Sequence, residues 1–122
     1  MSEEDDPLTR TVIGAAFAVS KLLGHGFLET VYKNALRFEL ASAGLEVSTE
    51  KAFPVLYREE QVGFYVADLV VAGVLIVEVK AIEVLSPAHA AQLLNYLKAS
   101  QIPTGLLVNF GKPRIEIKRI IL

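Results

Sequence analysis

Asp68-Leu69-Val70-Val71-Ala72-Gly73-Val74-Leu75-Ile76-Val77-Glu78-Val79-Lys80 is the stretch that decides the fold. Two runs rich in β-branched residues, 61–71 and 74–81, meet at Ala72-Gly73 and read as a hairpin. Strand side chains alternate, so Val74, Ile76, Glu78 and Lys80 share one side, and Leu75, Val77, Val79 and Ala81 the other. Glu78 and Lys80 therefore emerge together from a strand that begins as core. Asp68 sits similarly amid Tyr65, Val66, Leu69, Val70 and Val71. A carboxylate in a buried strand is costly unless something pairs with it. If Val71 paired with Val74 across a two-residue turn, Asp68 would face Val77 and Glu78 would point away. A shared site therefore requires an odd loop or a bulge near Ala72-Gly73, and that odd register is expected.

The neighbouring segments extend this sheet. Upstream, residues 9–23 carry Val12, Ala15, Ala16, Val19, Leu22 and Leu23 at helical spacing. Gly24-His25-Gly26 breaks the pattern. Residues 27–43 read as a second helix that stops at Gly44. Residues 45–58 read as an extended edge strand containing Pro54, followed by a polar turn at Glu59-Glu60. Downstream, Pro87 opens a third helix running to about Ser100. Residues 104–110 and 115–122 are strands around a Gly111 turn. The order ααβββαββ describes a single α/β domain, a central mixed sheet flanked by helices, over residues 9–122. Residues 1–8 are expected to form a flexible acidic N-terminus.

The 122 residues fit one domain. No cysteine is present, which excludes disulfides, thiolate metal sites and a cysteine nucleophile. With only His25 and His89, a multi-histidine metal site is also excluded. The reading is a cytoplasmic protein with no membrane span, since Asp68 and Glu78 interrupt the longest apolar run and no signal peptide opens the chain. The mean hydropathy of +0.43 points to a well-filled core plus a buried self-contact, a homodimer. Net charge is −2, but four of the 14 acids lie in the first six residues. Beyond them the chain carries 12 basic and 10 acidic groups. Lys112, Arg114, Lys118 and Arg119 cluster near the end, where a solvated edge is the simplest explanation.

Asp68 and Glu78 on neighbouring strands suit a hard divalent cation, with Lys80 beside them to orient an attacking water or steady charge on a phosphate. A salt bridge between Lys80 and one acid is the structural alternative. On the second helix Glu29 lies at the margin of the apolar face, while Glu39 lies deeper in that arc, so both stay in play as further acids. On the third helix His89, Gln92 and Tyr96 fall within about 60° of one another, either as a polar flank or as a row facing the same cleft.

These residues resemble a known pattern. Asp68 followed by Glu78-Val79-Lys80 is similar to the Asp…Glu-x-Lys core of the PD-(D/E)XK nuclease superfamily. Gly26 to Tyr32 reads G-x-x-E-x-x-Y, which resembles the signature of the GxxExxY protein family, a small group within that superfamily. Gln92 to Tyr96 reads Q-x-x-x-Y, as in its RecB-like branch. The run 105–111 and the closing Lys118-Arg119-Ile120 also look like this family, so the resemblance covers about residues 10–122. It implies a restriction-endonuclease-like fold in which Glu29, Asp68 and Glu78 surround Mg²⁺ or Mn²⁺, with the Val79 carbonyl as a further ligand. It implies that Lys80 serves the attacking water, and that Gln92 and Tyr96 contact the substrate backbone or buttress the site. The iron–sulfur cluster of many RecB-like relatives is ruled out here by the missing cysteines.

The leading expectation is a metal-dependent nuclease that hydrolyses phosphodiesters of DNA or RNA. A second reading is a non-catalytic module that binds nucleic acid or protein and retains the nuclease fold. A third is a structural dimer whose buried charges form only ion pairs.

Overall fold

Helices α1 (Pro7–Leu23) and α2 (Glu29–Ser42) cover one face of a five-stranded sheet, and α3 (Pro87–Ser100) covers the other. The computed structural model describes residues 6–122. The strands are β1 (Val47–Tyr57), β2 (Glu60–Val71), β3 (Leu75–Lys80), β4 (Thr104–Asn109) and β5 (Glu116–Ile121), in spatial order β1-β2-β3-β4-β5. Only β3 and β4 run parallel. That pair needs a crossover, which α3 supplies. The element order ααβββαββ and the mixed sheet are those read from the sequence.

Helix α1 starts at Pro7, two residues earlier than the periodicity indicates, because Asp6 caps it. The Asp6 carboxylate accepts the Leu8 N–H at 3.1 Å, and Pro7 needs no donor at the first helical position. Leu8 packs against the core, so residues 6–8 belong to the helix and its cap. The acidic stretch over residues 1–5 lies outside the described residues. Gly24 and Gly26 take left-handed backbone angles that break the helix. The Tyr32 hydroxyl then ties the break down, donating to the Gly24 carbonyl at 2.7 Å and accepting the Phe27 N–H at 3.2 Å. Its ring stacks on Phe110 at 4.8 Å. This explains the spacing of Gly26, Glu29 and Tyr32: the tyrosine holds the loop from which α2, and Glu29 as its first residue, must start.

The β1–β2 turn is Arg58-Glu59, one residue earlier than expected, with both residues at positive φ. Such two-residue turns match the twist of a hairpin. Further along the hairpin, Glu50 also has a positive φ of 51°, and no pairing is formed between Glu50 and Asp68. The sheet bends there. Leu69 and Val71 pack under α1 and α2, whereas Tyr65 and Ala67, of the same parity, pack under α3. In a regular strand all four would share one face.

Strand β3 is buried on both faces from Leu75 to Val79. Its exit is held by Asn109, which is fully buried. Asn109 Oδ1 accepts the N–H groups of Ile82 and Gly111, and Nδ2 donates to the Ile82 carbonyl and to Glu116. Gly111 must approach this loop closely. A Cβ there would fall 2.7 Å from the Ala81 carbonyl carbon and nearer still to the Ile82 backbone. Backbone on both sides cannot give way, so Gly111→Ala should destabilise the protein by about 3 kcal/mol or more. At Gly105 the Cβ would meet only the Leu93 side chain, at 2.9 Å, so Gly105→Ala should cost less. Chemical denaturation of the two variants checks this order.

Candidate active site

Val71 pairs with Leu75, so the β2–β3 turn is the odd, three-residue Ala72-Gly73-Val74. Ladder pairing ends at Leu69 opposite Val77. The next positions, Asp68 and Glu78, therefore come abreast, as the odd register requires. Instead of another backbone rung, each carboxylate bonds the other strand. The Asp68 N–H donates to Glu78 Oε2 at 2.7 Å, and the Val79 N–H donates to Asp68 Oδ2 at 2.8 Å. The bend at Glu50 and Asp68 lets β2 splay away and makes room for both side chains.

Burial dominates the electrostatics. It pushes the Glu78 carboxyl up to about 8, helped by the nearby Asp68 charge and opposed by the Asp68 N–H and Lys80. Burial also raises Asp68, against the pull of the Val79 N–H, Lys33 and Lys80. On α3, Tyr96 is pushed up to about 12 by burial and by the charges of Glu78 and Asp68. Its ring lies 4.8 Å from that of Tyr65 on β2. Lys80 is half-buried at the end of β3. Among the described residues it makes no ion pair with either acid, so the simple salt-bridge alternative is not what is found.

The other expected residues are spread more widely. Glu29 is exposed at the start of α2, close enough for its charge to act on Glu78 and Lys33. Glu39, on the same helix, is half-buried. Gln92 is exposed on α3, one turn from Tyr96. His89 leaves the row altogether: its Nδ1 accepts the Ser86 N–H at 2.9 Å and caps α3. The Val79 N–H is engaged by Asp68. Among the described residues no group of three or more acids or histidines is close enough to hold a metal ion. The structure thus brings two carboxylates together and leaves Glu29 exposed at the start of α2, with its charge felt by Glu78.

Two residues that the sequence reading did not single out complete the charge pattern. Lys33, one helical turn after Glu29, forms an ion pair with Glu50, which sits beside Asp68 on β1. Glu50, Asp68 and Glu29 all favour the charged form of Lys33. The i,i+4 spacing from Glu29 was the available signal for Lys33; Glu50 had none, because its place depends on the strand bend. The basic residues near the end are elsewhere. Lys112 pairs with Glu116 at 3.7 Å, and Arg114 and Arg119 line a hollow between α1 and β5.

The sequence profile of the PD-(D/E)XK nuclease superfamily matches residues 6–120, and the chain belongs to that superfamily. Its single α/β domain has the restriction-endonuclease-like fold. Comparison with curated proteins gives no match. Among solved structures, the one titled "Crystal structure of SSO0001" shares the fold with a TM-score of 0.58 and 20% identity. The match covers 97% of this chain and 59% of that one, so the chain spans little more than half the length of its structural relative.

The raised Glu78 carboxyl makes stability depend on pH. Between about 4.5, its ordinary value, and about 8, the folded chain holds a proton that the unfolded chain has lost. Stability is therefore fullest below that window and declines as pH rises through it, with Asp68 acting in the same sense. Urea midpoints should fall from pH 5 to pH 8 in the wild type. The decline should be shallower in Glu78→Gln, whose amide oxygen can still accept the Asp68 N–H. Lys33→Met should raise the Asp68 carboxyl further, because a favourable cation is lost; carboxyl-carbon NMR titration reads that shift.

Proposed function

We propose that this protein is a divalent-metal-dependent nuclease that hydrolyses phosphodiesters in DNA or RNA, of the GxxExxY type related to the RecB-like branch. The observation that carries the reading is the abutment of Asp68 and Glu78 at the end of the β2–β3 ladder, with Lys80 two residues beyond. The donor set suits Mg²⁺ or Mn²⁺. Each carboxylate spends one oxygen on a backbone N–H, and Asp68 Oδ1 and Glu78 Oε1 make no hydrogen bond within the described residues. Mg²⁺ commonly binds through one or two carboxylates and completes its shell with water and substrate phosphate. Asp68 and Glu78 would hold the ion, with the Val79 carbonyl and Glu29 as the additional ligands. When bound, the ion supplies charge neutralisation and a water of lowered pKa.

The chain's own groups account for the rest of the chemistry. The Lys80 ammonium, free of any ion pair among the described residues, orients the attacking water and steadies the charge that grows on the phosphate oxygens. Tyr96, whose phenol lies near enough to feel the charges of Glu78 and Asp68, donates a hydrogen bond toward the acid pair or the substrate. Gln92 contacts the sugar-phosphate backbone. The exposed apolar residues Val62 and Phe64 on the β1–β2 hairpin agree with a homodimer, which sedimentation analysis tests. The setting is cytoplasmic in this reading; among the described residues no helix is long and apolar enough to cross a membrane.

A second reading keeps the fold as a non-catalytic binding module. It is favoured by the hydrogen bonds of Asp68 and Glu78, which join two strands whether or not a metal is used. Calorimetry and a cleavage assay separate the two. For the nuclease, Mg²⁺ or Mn²⁺ binding should disappear in Asp68→Ala. Lys80→Ala should retain cation binding and lose at least 100-fold in cleavage, because a protonated lysine offers no lone pair to a metal. Full activity in Lys80→Ala removes it from the mechanism. Cation binding without cleavage of any substrate by the wild type supports the binding module.

A further inference from the structure

A groove of about 530 Å³ lies between α3 and the β1–β2 hairpin, lined by Pro54, Leu56, Tyr65, Asn95, Lys98 and Gln101 among others. Its link to the acid pair runs through two tyrosines. Tyr65 forms part of its wall and packs on Tyr96, whose phenol feels the charges of Glu78 and Asp68. Asn95 and Lys98 lie one helical turn apart on α3, either side of Tyr96, and Gln101 caps the end of that helix with a left-handed backbone. Among the described residues Lys98 is the only charged side chain in the wall, and it has no ion-pair partner there.

Building on the nuclease reading, we propose that this groove binds an unpaired nucleotide of the substrate strand, so that the substrate is a single strand or a single-stranded end. Three features converge on that ligand. Tyr65 offers an aromatic wall to a base, Lys98 offers a cation to the neighbouring phosphate, and Asn95 and Gln101 offer amides to the base edge or sugar. Aromatic stacking beside a positive track is how unpaired strands are held without sequence preference. The volume suits a ligand of about nucleotide size. A base inside a duplex is stacked on both faces and cannot reach a wall between a helix and a hairpin.

The test measures binding of a labelled oligothymidylate 12-mer, and of a blunt duplex of equal length, by fluorescence anisotropy in EDTA at low salt. The single strand should bind at least tenfold more tightly than the duplex. Lys98→Glu should weaken single-strand binding about tenfold, and Tyr65→Leu by a similar factor, while Tyr65→Phe, which keeps the ring, should bind like the wild type. Calorimetric Mg²⁺ binding should be unchanged in all three. Thermal melting excludes a misfolded Tyr65→Leu, and Lys98→Glu, on an exposed helix position, provides the independent variant. Equal binding of duplex and single strand, or wild-type binding by both Lys98→Glu and Tyr65→Leu, overturns the groove and leaves the nuclease reading standing. A wild type that neither binds nor cleaves nucleic acid overturns both.

Discussion

The exchange of hydrogen bonds between Asp68 and Glu78 is the constraint around which the rest of the sheet is arranged. Two carboxylates at the end of a buried ladder would ordinarily be expelled. Here each one replaces a missing backbone partner of the opposite strand, at 2.7 and 2.8 Å. The arrangement satisfies two buried N–H groups and places two acids side by side in surroundings dry enough to keep one of them protonated near neutrality. The bend in β1 and β2, the three-residue turn and the parallel pairing of β3 with β4 all serve to keep this strand end open.

Two clamps hold the loops that face it. Asn109 uses its whole amide to fix the chain just after Lys80, making four hydrogen bonds from a fully buried position. Tyr32 fixes the α1–α2 break and sets where Glu29 begins its helix. The tyrosine and Phe110 stack in parallel, so the loop before α2 and the end of β4 share one aromatic contact. Residues whose family signature suggested chemistry thus divide into those that bear charge at the site and those that hold its frame.

The fold was legible because hydrophobic periodicity, turn residues and charge breaks agreed along nearly the whole chain. Asp68 and Glu78 were legible for the same reason: a carboxylate in a β-branched run is conspicuous. His89 was not, because helical spacing shows which residues share a side but not that a ring turns back to cap its own helix. Lys33 and Glu50 escaped notice because their meeting depends on a left-handed residue inside a strand, which no periodicity signals. The start of α1 moved to Pro7 through a single capping carboxylate. Such one-residue effects are decided by local hydrogen bonds and leave little trace in a hydrophobic pattern.

Strand β3 raises a question of alignment. Buried on both faces, it carries almost no amphipathic information, and a slip of one residue against β2 would exchange one set of apolar side chains for another. What distinguishes the correct pairing is the turn length and the two acids, each of which finds its N–H donor in one alignment. The charged residues therefore act as an index mark for strand assembly. A lineage that discarded both acids would lose more than a reaction centre, because it would also lose the feature that tells two similar hairpins apart while the chain folds.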